Sequence, residues 1–219
     1  ERHGLALVED CAQAIGARAG GRSVGSTGIG AFSLHPLKVL SALGDGGFLT
    51  VSSPDDAARL RRLRNIGLRD RDHCEEVSGN SRLDTLQAAF LLVKLEHLDA
   101  WTAARRAHAA AYRRALAGAV RLPPESEGVE PAISAFVVRH PRRDSLVARL
   151  RERGVDAKVH YPLAIHQQAA FADLPLRPLP VTERVVGEIL SLPATPELTE
   201  EGRERVIEAL LQACRAEAR

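Results

Sequence analysis

A lysine in apolar company is the first residue of this chain that could do covalent chemistry. Lys38 closes the run Phe32-Ser33-Leu34-His35-Pro36-Leu37-Lys38 and is followed by Val39 and Leu40. Partial burial disfavours the ammonium and frees the neutral amine, which can condense with an aldehyde. The alternative is a lysine whose stem lies along apolar surface while its head reaches water. Ser33, at the expected end of a strand, can offer a hydroxyl to a phosphate. A second group is Glu9-Asp10-Cys11-Ala12-Gln13-Ala14, directly after an apolar run. Ligands of open α/β sheets gather outside the carboxyl ends of strands. A carboxylate there can hold a protonated ring nitrogen cationic. Acids at strand ends also serve as surface turns or helix caps. A third group, Gly79-Asn80-Ser81-Arg82-Leu83-Asp84, precedes a long periodic segment. It reads as a helix start with Asn80 or Ser81 as cap and Asp84 completing a capping box. A helix N-terminus is equally an anion site, so capping and phosphate binding are compatible.

These groups need elements to hold them. Residues 5–8 are a short apolar run and read as a buried strand. Residues 16–30 are glycine-rich and read as loops and tight turns. Residues 31–34 and 48–51 read as further strands. Residues 54–64 read as a helix with Asp55 and Asp56 in its first turn and arginines near its end. Residues 67–79 are polar and irregular. From 81 to 116, apolar residues recur every three or four positions, which describes one long helix or two joined end to end. Pro123-Pro124 to Pro131 looks like a linker to a second lobe. Beyond it, 136–139 and 155–160 read as strands, and 144–153, 183–190 and 199–213 as helices, the last capped by Thr199. Alternating strands and helices argue α/β for residues 1–122 and a small α+β unit for 123–219.

Composition narrows the classes. There are 30 basic and 28 acidic residues, a net charge of +2, so nothing in the charge calls for nucleic acid or a membrane surface. Cys11, Cys74 and Cys214 form no metal-ligand or disulfide pattern and suit a reducing cytoplasm. No apolar run is long enough to span a bilayer. His160 and His166 fall short of a zinc pattern, and no metal is expected. The pairs Arg105-Arg106 and Arg113-Arg114 would suit phosphates, or simply a solvated helix face. The chain opens on Glu1-Arg2-His3-Gly4, which reads as a helix end and a turn, so a preceding N-terminal segment is expected.

In order and spacing the motifs resemble the nucleotide-sugar aminotransferases of the DegT/StrS type. The matching pieces are EDCAQA at 9–14, GRSVGS at 21–26, FSLHPLK at 32–38, GDGG at 44–47, LRNIG at 63–67, NSRLDTLQAA at 80–89, RGVDAKVHYPLAIHQQ at 153–168 and LSLP at 190–193. The resemblance runs from about residue 1 to about residue 215. It implies a type I fold for pyridoxal 5'-phosphate (PLP) aminotransferases, α/β with a mostly parallel large-domain sheet and a small C-terminal domain. It implies that Lys38 holds PLP covalently and moves protons, that Asp10 pairs with the pyridine nitrogen, and that Gln13 lies near the ring. Ser33 is implied as a phosphate ligand, and Asn80 as reaching the cofactor phosphate of a neighbouring subunit in a homodimer. His160 and Tyr161 are implied on the substrate side. The expected reaction moves an amino group from an amino acid, glutamate in the first instance, to a keto sugar on a nucleotide.

Some positions depart from the family pattern. Leu37 and Val39 stand where Thr and Asn usually flank the lysine, one residue is lost between Gly28 and Ile29, and Ser134 replaces a common histidine. The family's N-terminal part supplies a backbone phosphate cradle and an aromatic ring stacked on the cofactor. Two other readings fit the same scaffold. One is a PLP-dependent sugar dehydratase, which Lys38 argues against because such members lack the lysine. The other is a non-catalytic, truncated scaffold that keeps a dimer surface.

Overall fold

A computed structural model describes residues 2–175 and 177–217. The chain divides into two compact units, Glu1–Ala103 with Ser126–Ser134, and Ala104–Glu125 with Ala135–Arg219. The sequence suggests a division at 122/123; the units instead part within a helix, and residues 126–134 return to the first.

In the first unit, β1 (Val8–Asp10) pairs in parallel with β4 (Ile29–Ser33), which pairs antiparallel with β5 (Gly47–Val51). The apolar run 5–8 is not the buried strand it resembles. Only Val8 of it joins β1, and Leu5 is 79% exposed. Among the described residues β1 has a strand neighbour on one edge only. Between β1 and β4 the glycine-rich stretch contains a small hairpin that periodicity does not reveal. Its strands β2 (Arg18–Ala19) and β3 (Arg22–Ser23) are joined by Gly20-Gly21, both at positive φ, which is what a two-residue hairpin turn demands. At Gly28, also at positive φ, a Cβ would overlap the Leu7 carbonyl oxygen, so only glycine lets β4 start beside β1.

Helix α1 (Pro54–Leu63) forms as its charges predict: Ser53 Oγ accepts the Asp56 N–H at 3.2 Å, and proline opens the first turn. The periodic segment resolves into α2 (Thr85–Leu95) and α3 (Leu98–Leu116). The expected cap at 80–81 is not there. Helix α2 starts four residues later at Thr85, and Asp84 makes no capping bond through its side chain. Residues 79–81 are instead extended and bonded to the segment after α1, with Ser81 N–H donating to Arg64 O at 2.9 Å. The core of this unit is Ile15, Leu34, Val39, Leu40, Ala42 and Leu91. Strand β6 (Val129–Glu130) completes the unit by pairing with β2.

In the second unit, β7 (Phe136–Arg139) is followed by α4 (Arg143–Glu152), α5 (Pro180–Glu188), β8 (Ile189–Leu192) and α6 (Glu200–Glu217). The helix expected over 183–190 therefore ends early. Residues 189–192 become a strand because they pair with β7, Leu190 facing Val138, and both are fully buried. The strand expected at 155–160 reduces to one bridge between Lys158 and Ser191. Thr199 caps α6 as anticipated, its Oγ1 accepting the Gly202 N–H at 3.0 Å. The arginine pairs are not a solvated face throughout. Arg105 is buried and donates to Ala194 O, while Arg113 donates to Pro123 O and pairs with Glu125. No helix among the described residues is long and apolar enough to cross a membrane.

Candidate active site

Asp10 and Ser33 stand at the carboxyl ends of neighbouring parallel strands. Asp10 faces Ala31 in the β1–β4 register, and Ser33 lies two residues beyond Ala31 on the same strand. Side chains two apart share a face, so Ser33 follows Ala31 on one side of β4, roughly 7 Å further along. Asp10 Oδ1 accepts the N–H of Ala12 at 3.0 Å, which folds the turn after β1, and Oδ2 has no hydrogen bond among the described residues. Ser33 Oγ accepts the N–H of His35 at 3.3 Å, so its own proton remains free to donate. Gln13 is exposed in the turn after Asp10, its amide without a hydrogen bond among the described residues.

Lys38 lies in the tight turn that leaves β4. Its N–H donates to His35 O at 2.9 Å, and Ala42 N–H returns to Leu34 O at 2.7 Å. Val39 and Leu40 are buried, Lys38 is half-buried, and Leu37 is 83% exposed. The oily setting is thus supplied by the residues after the lysine. The chain has two other lysines, and both are engaged: Lys94 Nζ bonds Ser41, and Lys158 Nζ pairs with Asp156 at 2.6 Å. Lys38 Nζ has no polar partner among the described residues.

Asn80 stands apart from this group. Its Oδ1 accepts both the N–H and the Nε–H of Arg82, at 3.2 and 3.1 Å, and its backbone bridges to Asn65. No hydrogen bond among the described residues links it to Asp10, Ser33 or Lys38. His160 and Tyr161 belong to the second unit and are exposed. His160 Nδ1 lies 3.0 Å from Ser191 Oγ, and the two rings meet edge to face. A cavity of about 690 Å³ is lined by Phe32, Phe48, Leu60, Arg64 and Arg82 among others, and by none of the candidate residues. Among the described residues no cluster of three or more His, Cys, Asp or Glu could hold a metal.

Sequence reasoning left Glu9 without a role. Its carboxylate accepts the N–H groups of Gly25 at 3.0 Å and Thr27 at 2.9 Å. Those two bonds, with Arg22 nearby, hold its carboxyl below the usual range. Glu9 thereby ties the glycine-rich loop to β1 one residue before Asp10. The signal was an acid beside a loop with many unspent backbone donors.

The fold recurs in known proteins. The crystal structure of DesV from S. venezuelae in complex with a ketimine intermediate superposes with a TM-score of 0.93 at 43% identity, covering 97% of this chain and 59% of that one. A DegT DnrJ EryC1 StrS aminotransferase from Brucella abortus superposes with a TM-score of 0.89 at 34% identity. The architecture is therefore that of the type I aminotransferases, in a chain of mixed α/β structure. Residues 1–211 match the DegT/DnrJ/EryC1/StrS aminotransferase family, and the chain belongs to it. Among its relatives is the erythromycin biosynthesis sensory transduction protein EryC1 of Saccharopolyspora erythraea, 46% identical over 96% of this chain. Another is the dTDP-3-amino-3,4,6-trideoxy-alpha-D-glucose transaminase of Micromonospora megalomicea subsp. nigra, 44% identical over 96% of this chain. The chain spans 59% of the length of each.

Proposed function

We propose that this chain serves a PLP-dependent transamination in which an amino acid, glutamate in the first instance, supplies nitrogen to a keto sugar carried on a nucleotide. The observation that carries the reading is Lys38. Among the described residues it is the one lysine of three whose amine is free of polar partners, and it sits just past the strand ends that bear Asp10 and Ser33. The sugar substrate is inferred from the relatives, several of which are named as transaminases of dTDP- or UDP-linked sugars.

The residues suit PLP on their own chemistry. Lys38 offers an uncommitted amine for the aldehyde. Asp10 keeps one carboxylate oxygen open for a protonated ring nitrogen, and Gln13 presents a free amide beside it. Ser33 keeps a hydroxyl proton for a phosphate oxygen. When bound, PLP supplies an electron sink for the pair released as the substrate C–H bond breaks. Lys38 would hold the cofactor through its amine and would serve as the base that removes a proton from the substrate carbon and the acid that returns one. Asp10 keeps the ring positively charged by charge-assisted hydrogen bonding. His160 and Tyr161 contribute to the substrate side.

Asn80 acts in a second copy: its amide N–H groups, not engaged by Arg82, reach the phosphate held by the partner. The exposed apolar residues Leu86, Phe90 and Val93 of α2 support such a homodimer. A cytoplasmic setting fits free thiols and nucleotide-linked substrates. Reducing the PLP-loaded protein with borohydride and mapping the labelled peptide tests the assignment. Label on Lys38 is expected; label on Lys94 or Lys158, or none, refutes it.

A further inference from the structure

Helix α2 grips the segment that follows Lys38 with three consecutive members of one stripe. Gln87, Leu91 and Lys94 are spaced i, i+4 and i+7 and so lie on the same helix face. Gln87 Oε1 accepts the N–H of Leu43 at 2.8 Å. Leu91 is buried in the cluster that contains Val39, Leu40 and Ala42. Lys94 Nζ donates to both Ser41 O, at 2.5 Å, and Ser41 Oγ, at 2.7 Å. Every residue from 39 to 43 is thus touched or covered by this stripe or its cluster. All three polar bonds cross more than forty positions of sequence, so none is a local turn feature.

The pattern is selective. An ammonium has three donors, and Lys94 commits two of them to one residue, three positions beyond Lys38. Charge-assisted bonds are the stronger kind, and Lys94 makes its two from a half-buried position. The other end of the segment is fixed by Ala42 N–H to Leu34 O and by Lys38 N–H to His35 O. A lysine stem is long and rotamer-rich, so where its amine points depends on how firmly the backbone beneath it is held.

We propose that Gln87 and Lys94 are positioning residues for Lys38, fixing the 39–43 segment so that the lysine amine emerges in a single direction, with Leu91 as the apolar seat between them. The inference rests on Lys38 being the cofactor lysine. Neither residue touches the reacting atoms. Loosening them blurs the aim of the amine while substrate contacts persist, and a displacement of an ångström at a reacting group can cost about 10²-fold in rate.

The test uses Lys94→Met, Lys94→Arg and Gln87→Leu in the protein as isolated. In cofactor-free protein, amide exchange across 41–43 is expected to speed by roughly fivefold or more in Lys94→Met and Gln87→Leu, the scale of one lost hydrogen bond. In PLP-loaded protein, kcat is expected to fall about tenfold or more in Lys94→Met with KM for the amino donor within about twofold, since the lost aim acts on the chemical step. The pH midpoint of the visible band of lysine-bound PLP is expected to move in the same variant. Lys94→Arg, which keeps the charge and donors, recovers most of both. Unchanged exchange and kcat in Lys94→Met overturn the proposal, as does an arginine variant no better than methionine. So does a loss in KM alone. Borohydride mapping of wild type separates the premise: label away from Lys38 removes the premise, whereas label on Lys38 with unaltered variants removes only the grip.

Discussion

The carboxylate of Glu9 accepts the backbone N–H of Gly25 at 3.0 Å, joining the strand that bears Asp10 to a loop sixteen residues away. The same carboxylate takes the Thr27 N–H through its other oxygen, so one side chain satisfies two donors of a stretch with few other partners. Both bonds favour the ionised form, first Gly25, then Thr27, with the charge of Arg22 adding to them against a smaller desolvation cost. The folded carboxyl therefore titrates lower than in the unfolded chain. Its contribution is present above the unfolded value near 4.5 and is lost as pH falls through the lowered folded value. The protection of the Gly25 and Thr27 amides, taken relative to their intrinsic exchange rate at each pH, is expected to fall over that acid window and to hold above it. Glu9→Gln, whose amide opposes an N–H to an N–H, is expected to show fast exchange at one of the two sites at every pH.

Helix α2 presents a second stripe beside the one that grips the lysine segment. Leu86, Phe90 and Val93 are 71%, 45% and 61% exposed, an apolar surface that solvent alone would not select. If a second copy covers it, burying each side chain contributes on the order of 1.5–3 kcal/mol. Phe90→Glu with Val93→Glu is then expected to weaken dimerisation by about a thousandfold, since roughly 4 kcal/mol corresponds to that factor. Sedimentation equilibrium at micromolar concentration gives a dimer for wild type and a monomer for the double variant under this reading. A wild-type monomer, or a double variant that still dimerises, sinks it. Because the stripe is separate from Gln87 and Lys94, the monomeric variant is expected to keep slow exchange across 41–43.

Local signals in the sequence carried some elements well and others poorly, for physical reasons. Helix α1 was legible because Ser53, Pro54, the early acids and the late arginines all state the same polarity. Strands β4 and β5 were legible within two residues because both are bounded by glycine or turn residues. Asn80 and Ser81 misled because cap residues before a periodic run also suit an extended strand. The decisive fact, that Ser81 N–H finds Arg64 O, is a long-range bond no local pattern contains. Leu190 misled likewise: helical spacing runs through it, but its pairing with Val138 on β7 overrides propensity. For the candidate site, the strand-end positions of Asp10 and Ser33 were readable. The contacts of Glu9, Gln87 and Lys94 were not, since each is made to a partner distant in sequence.

His108 stands in the second unit as a buried base with an uncomfortable charge environment. It is 6% exposed on α3, and neither ring nitrogen has a hydrogen-bond partner among the described residues. Burial is the main force depressing its pKa below the ordinary 6.5, and the cations Arg203 on α6 and Arg105 one turn earlier on α3 add to it. The neutral ring is therefore the folded form, while the unfolded chain binds a proton near the ordinary value. Stability is intact above about pH 6.5 and declines as pH drops from there towards the depressed folded value. Replacing the ring with an apolar side chain of similar size removes the proton the unfolded state would gain. His108→Leu is thus expected to flatten the fall in melting temperature between pH 7 and pH 5 while leaving the pH 7 value within a few degrees. The shift is read by thermal melts at matched ionic strength, because the two arginines act through charge and salt weakens them. A wild-type melting temperature that is flat over this range, or a His108→Leu variant that falls as steeply, would mean that the proton is absorbed elsewhere and that this histidine is not the acid-sensitive point of the unit.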